Sequence, residues 1–205
     1  MAFVSEADAR HINEAIRQVE ARTSGELVTV IARAADPYPY VPLLWSSMLA
    51  LLVPGILWLA GLATDVVTIY AAQILAFLGF AALFHWPPLK HWLVPTSVQR
   101  RQAGRLAREQ FYAQGLHLTR GRTGVLLFVS VAERYVEILA DEGIHQCVPE
   151  GTWDRVVAEL VGRVREGRIA EGFLSAIAAC GDILAAQCPR EPDDRNELPD
   201  RLVQI

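Results

Sequence analysis

Charge is almost absent from one long part of this 205-residue sequence. Between Leu43 and Phe84 the only formally charged side chain is Asp65. That excludes an ordinary solvated linker there. The residues outside 42–85 number about 160, enough to bury a core of their own. Lysine is scarce too: Lys90 stands alone among the arginines. The net charge is −4, which argues against a nucleic-acid partner. Cysteines are few (Cys147, Cys180 and Cys188), odd in number and spaced like no zinc or redox motif. They read as reduced thiols that pack as small hydrophobes. GxSxG, Walker and HExxH motifs are all missing, so no familiar catalytic constellation is written in the chain. Met1–Arg22 lacks an apolar core with a cleavage site, so no signal peptide is expected and the first 41 residues should stay on the side of synthesis.

What is present is hydrophobic. Leu43–Leu62 and Val66–Phe84 are uncharged, and a helix of about 20 residues spans roughly 30 Å. Only Ala63, Thr64 and Asp65 separate them, so a two-helix transmembrane hairpin is expected. Trp45, Trp58, Tyr70 and Trp86 lie near its ends, where amphipathic rings favour the headgroup level. Thr64, Thr68 and Gln73 suit contact with another membrane protein or a second copy. Arginines flank the hairpin on both sides, while the 63–65 loop has none. The positive-inside rule then puts the soluble domain in the cytoplasm and the loop outside an inner or plasma membrane.

The remainder alternates helical and strand patterns. Ser5 followed by Asp8 marks a helix start, and Ala9, Ile12, Ile16 and Val19 recur at helical spacing. Residues 26–33, 123–130 and 134–141 read as strands. A helix over 98–114 separates the first two, a helix capped by Thr152 follows the third, and a last helix runs from Ile169 to Pro189. WPPLKHWLVP after the hairpin reads as an interfacial return segment, and the chain from about 189 as an extended arm. The expected fold is α/β: a small three-layer-like sandwich with a mixed sheet, built from 1–41 and 86–205, with the hairpin 42–85 inserted. The crossover makes strands one and two parallel. Ser130 and Glu133 then face the bilayer, and Asp141, Glu142 and Gly143 lie at the far end.

Three groups of residues invite a functional reading. The turn Asp141-Glu142-Gly143, with His145 nearby and Asp154 in the next helix, offers oxygens to Ca²⁺ or Mg²⁺; it also reads as a polar turn before an acidic helix start. The segment His117–Gly124, with Arg120 and Arg122, fits a phosphate or carboxylate clamp, and equally a solvated turn. Arg101, Arg105 and Arg108 form a stripe suited to anionic lipid headgroups, or to water. The acidic tail residues Asp193, Asp194, Asn196, Glu197 and Asp200 would bind a partner or remain solvated.

GELVTVIA, then EQFYAQGL, then RTGVLLFVSVAERYVEILADEGIHQCV together resemble the TPM domain family, from about residue 6 to 188. The pattern is similar to the subgroup with a membrane hairpin after the first strand. The resemblance implies an α/β sandwich. It also implies calcium binding, weak acid phosphatase activity or an accessory role at membrane complexes, each described for some members. The family's Thr-Asp pair after the third strand is missing here, where Ala140–Ile144 is followed by Val148-Pro149-Glu150. Two functions follow as expectations. One is a membrane-anchored, non-enzymatic accessory, assembly or quality-control factor. The other is a metal-dependent phosphatase in which Asp141, Glu142 and Asp154 hold the cation and Arg120 or Arg122 holds phosphate.

Overall fold

The computed structural model describes residues 4–62, 65–149, 151–190 and 196–205, with backbone alone at 87, 88 and 91. Ala63, Thr64, Glu150, Asp193 and Asp194 lie outside the described residues. The chain divides into two units, Met1–Ala35 with Arg100–Ile205, and Asp36–Gln99.

In the first unit, helix α1 (Glu6–Glu20) starts where the sequence places it. Ser5 Oγ accepts the Asp8 N–H at 3.1 Å and donates to the Asp8 carboxylate at 2.8 Å, satisfying an otherwise orphaned donor. Ile12, Ile16 and Val19 are buried, each contributing about 1.5–3 kcal/mol of burial. The sheet order is β3-β2-β1-β4. Strands β1 (Glu26–Ala32) and β2 (Gly124–Ser130) pair in parallel along their whole length. Strand β3 (Tyr135–Ala140) runs antiparallel to β2. Every residue of β1 and β2 is buried, as central parallel strands covered on both faces must be.

Alternation along these strands supplies two cores. Leu27, Ile31, Val125, Leu127 and Val129 face α1, α7 (Asp154–Arg165) and α8 (Ile169–Gln187). Val28, Val30, Leu126 and Phe128 face Ala107 and Phe111 of α5 (Thr96–Ala113) and Leu116. The result is a helix–sheet–helix sandwich with a mixed four-stranded sheet.

The structure corrects the sequence expectations at three places here. The tail is not simply an arm, because Leu202–Gln204 forms β4, parallel to β1 at Thr29–Ile31. Three residues are too few for a period-two pattern to show. The turn after β3 is the start of a short helix, α6 (Glu142–Cys147), capped by Asp141. Thr152 does not cap α7: its hydroxyl donates to Pro149 O, and Trp153 occupies the cap position without a side-chain bond.

The second unit holds α2 (Tyr40–Leu59), α3 (Val66–Phe84) and α4 (Pro87–Leu93). Asp65 caps α3, accepting the Val67 and Thr68 N–H groups. The return segment forms helix α4, since prolines at its first two positions cost no hydrogen bond. Tyr38, Val41 and Val94 are buried together, with Leu93 and Val98 against them, so the two ends of this unit pack on each other. Among the described residues, three helices are long and apolar enough to cross a membrane: α2, α3 and α8. Their most apolar windows differ in burial, at 22%, 0% and 44% respectively. Helix α8 carries Glu171 and Asp182, and its Phe173, Ile177, Cys180 and Leu184 already fill the sandwich core.

Candidate functional site

The polar groups of the first unit gather where β1 and β2 begin and β3 ends. The loop before β2 is held tightly. Thr119 is buried; its hydroxyl donates to Leu116 O at 3.3 Å and accepts the Thr123 N–H at 3.0 Å. Thr123 Oγ1 donates to Ser24 O at 2.9 Å. Arg122 adopts a left-handed backbone, φ 54°, a conformation that is uncommon outside glycine. Its carbonyl accepts the Gly143 N–H at 2.9 Å, and the Gly124 carbonyl accepts the Asp141 N–H at 2.9 Å.

This backbone clasp joins two of the sequence candidates directly. Arg122 Nε and Nη2 donate to the two Asp141 carboxylate oxygens at 2.7 and 2.8 Å, a fork-to-fork pair. Asp141 Oδ1 also accepts the Glu142 N–H at 2.8 Å. The Asp141 side chain is 7% exposed and that of Arg122 53%. Burial alone would raise the Asp141 carboxyl. The Arg122 and Glu142 hydrogen bonds and the arginine charge outweigh it and hold it below the ordinary carboxylate range. His117 adds to the same lowering, and its ring lies 5.1 Å from that of Tyr112. His117 Nδ1 is buried without a hydrogen-bond partner among the described residues. Sequence reading treated His117 as part of the loop but not as a neighbour of Asp141.

The other candidates do not join this pair. Glu142 and Asp154 are exposed at the starts of α6 and α7. Among the described residues, no group of three or more His, Cys, Asp or Glu side chains is close enough to hold a metal ion. Both Asp141 oxygens are already engaged by Arg122, so the donor set does not fit a Ca²⁺ or Mg²⁺ site. Arg120 is exposed, and its backbone N–H donates to Glu197 at 3.0 Å. On α5, Arg101, Arg105 and Arg108 are all exposed, but Arg105 pairs with Glu109 at 2.8 Å. Arg108 lies beside Tyr135, whose hydroxyl donates to Glu137 at 2.9 Å. Burial, then the Glu137 charge, pushes that phenol up to about 12.

A second polar cluster at the same end of the sheet has no sequence signature. Arg17, Glu20, Thr23, Glu26, Arg190 and Asp200 line a cavity of about 130 Å³. Asn196 donates to Glu20 at 3.2 Å and also to Asp200. Glu20 accepts the Leu27 N–H at 3.1 Å. Burial foremost, then contact with Asp200 and the Glu26 charge, pushes the Glu20 carboxyl up to about 9. Asn196 and Asp200 belong to the stretch read as an arm, which hid the cluster.

Residues 93–183 match the TPM domain family. That stretch runs from the end of α4 to α8 and contains the Arg122–Asp141 pair. Strand β1, which completes the centre of the sheet, lies outside it. A solved structure, the NMR structure of the BA42 protein from the psychrophilic bacterium Bizionia argentinensis, is similar at a TM-score of 0.62 and 18% identity. The similarity covers 100% of this chain and 97% of that one. At that identity the likeness establishes the fold alone. No curated protein matches.

Proposed function

We propose that this protein is a membrane-anchored, TPM-like accessory factor for a membrane complex, acting in assembly or quality control without catalysis of its own. The supporting observation is the apolar surface of α2 and α3. Leu51, Leu59, Val67 and Leu75 are all well over half exposed, which in water would be a large unburied patch and in lipid is the expected state. The bilayer is then the first partner. A second membrane protein or a second copy is the other, contacted through the hairpin and its Thr68 and Gln73. In this reading the hairpin crosses an inner or plasma membrane twice, with the sandwich in the cytoplasm and the 63–65 loop outside. The Arg101–Arg108 stripe would meet anionic headgroups. The test is purification of the full-length protein from membranes in several mild detergents. A stable complex with another membrane protein or with itself is expected. A lone species in every detergent overturns the reading.

The phosphatase alternative draws on the name of the matched family, which contains the word phosphatase, and on the convergence of Arg122 and Asp141. Against it stands that, among the described residues, no group of three or more His, Cys, Asp or Glu side chains gathers to hold a cation. Calorimetric titration with Ca²⁺ and Mg²⁺, beside Asp141→Asn, separates the two readings. Micromolar binding lost in the variant would favour the phosphatase, and no binding at millimolar metal would favour the accessory factor.

A further inference from the structure

Helix α4 begins where α3 is forced to stop. His85 caps α3, and Trp86 takes an extended backbone, φ −65° and ψ 123°, before Pro87. A residue before proline is driven out of the helical region, so the chain leaves the α3 axis here. Helix restarts at once, with the Trp86 carbonyl accepting the Lys90 N–H at 3.0 Å. At the other end of α4, Val94 is buried with Tyr38 and Val41, at the first turn of α2. Helices α2 and α3 are antiparallel neighbours, so the start of α2 and the end of α3 share one end of the hairpin. Packed helices stand about 8–10 Å apart, and the seven residues of α4 make a helix about 10 Å long. Helix α4 therefore has the length to run across that end, from α3 to α2, and it packs on both.

The described side chains of this crosswise helix divide by exposure. Leu89, Lys90 and Leu93 are half-buried, and Val94 is 3% exposed. Trp92, two residues before Val94, is 80% exposed, and Trp86 is 65% exposed. The backbone that carries Trp92 is fixed. Leu93 and Val98 pack against the Val94 cluster, and the Val94 carbonyl accepts the Gln99 side-chain amide at 3.0 Å. Tyr40, Leu44 and Trp45 of α2 and Leu83 of α3 are exposed near the same end.

We infer that α4 is an in-plane docking helix for the polar–apolar boundary of a phospholipid bilayer, with Trp86 and Trp92 seated at the headgroup level and Lys90 reaching the lipid phosphates. This rests on the membrane reading of α2 and α3, and it names the layer of the bilayer that α4 meets. A helix lying across the end of two spans is parallel to the membrane plane, and its outer surface continues their exposed apolar faces. An indole has a broad apolar face and one N–H donor, so it is best placed where hydrocarbon and water are both within reach. Lysine covers apolar surface with its stem and keeps its charged head outside. A helix of about 10 Å is also too short to be a span of its own. Tied to both spans, α4 acts as a collar. Sinking the hairpin would drag Lys90 into hydrocarbon, and lifting it would strip two indoles of lipid.

The experiment reconstitutes the full-length protein in phosphatidylcholine vesicles and reads tryptophan quenching. The emission of Trp92 is the difference between wild type and Trp92→Phe, a change confined to an exposed side chain. Bromine is carried on the acyl chain either near the ester or near the chain end, and iodide is supplied in the water on both faces. Bromine near the ester should quench Trp92 about twofold more than bromine near the chain end, and iodide should act only weakly. Leu75→Trp in the Trp92→Phe background reports the middle of α3 and should show the opposite order of the two lipids. Circular dichroism confirms that each variant is folded. Free quenching of Trp92 by iodide and by neither lipid would put α4 in water. Stronger quenching from the chain end would put it inside the hydrocarbon, and shielding from all three quenchers would put a second copy against it. Each of these overturns the inference, while chain-end quenching of Leu75→Trp upholds the spans. A Leu75→Trp signal that neither lipid quenches overturns the membrane reading and the role of α4 together.

Discussion

Gly143 is a position where two ordinary expectations have opposite signs. It lies in α6, where replacing glycine by alanine normally gains up to about 1 kcal/mol of helix propensity. A Cβ there would lie 2.2 Å from Gly121 O and 2.8 Å from Arg122 O. Both atoms are backbone, and the Arg122 carbonyl is held in place by the Gly143 N–H itself. The clash therefore cannot be relieved by turning a side chain. Overpacking costs about 1–3 kcal/mol, and a fixed backbone contact belongs at the upper end of that range. The net effect of Gly143→Ala is a loss of about 2 kcal/mol, or roughly 4–8 °C in Tm for a chain of this size. Gly162, inside α7, has nothing within 4 Å of its Cβ position. Gly162→Ala should accordingly gain up to about 1 kcal/mol, or roughly 2–4 °C. Thermal melts of both variants and wild type in one detergent decide the matter. If Gly143→Ala melts at or above wild type, the close approach of α6 to the 121–122 backbone is not a constraint, and the clasp that positions Asp141 against Arg122 loses its physical basis.

The carboxylates give two predictions in pH. Asp141 is held below its ordinary range, so its charge stabilises the fold above the unfolded value of about 3.9, and that contribution is lost as pH falls through the folded value. Asp141→Asn should lower stability at pH 7 and flatten the acid limb below about pH 4; chemical denaturation across pH checks both. Glu20 has the opposite sign. Its contribution is full below the unfolded value of about 4.3 and fades as pH rises, ending near its folded value of about 9. Glu20→Gln should remove that loss between pH 5 and 9, and an unchanged alkaline slope would count against the buried, protonated carboxyl. Leu75, midway along α3 and 69% exposed, should cost about 3 kcal/mol of insertion as arginine. Carbonate extraction of Leu75→Arg should show reduced membrane retention; full retention would argue against a lipid-embedded α3.

The sequence made the central sheet readable because seven-residue apolar, β-branched runs such as ELVTVIA and GVLLFVS admit few other states. The parallel β1–β2 pair and the antiparallel β3 followed from the crossover and the short turn, and Ser5 declared its helix through local hydrogen-bond chemistry. Helix α6 was hidden because six residues around a glycine show no period. Strand β4 was hidden because a polar, proline-bearing stretch takes its partner from the other end of the chain. The candidate site was half legible for the same reason. Arg122 and Asp141 were each visible as types, but their pairing depends on the positive φ at Arg122 and the close approach at Gly143, both of them tertiary facts.

The buried contact of Tyr38 and Val41 with Val94 has a kinetic consequence. Strand β1 must find β2 across roughly 90 intervening residues, about two thirds of them in the inserted unit, and a loop that long would slow the search. Because the two ends of that unit are pinned together, the effective loop shrinks to about 30 residues, which recovers about 1 kcal/mol of closure entropy. The hairpin would therefore be more than an anchor: once its helices pair, it acts as a short-circuit that lets the sandwich close around β1 almost as if nothing had been inserted.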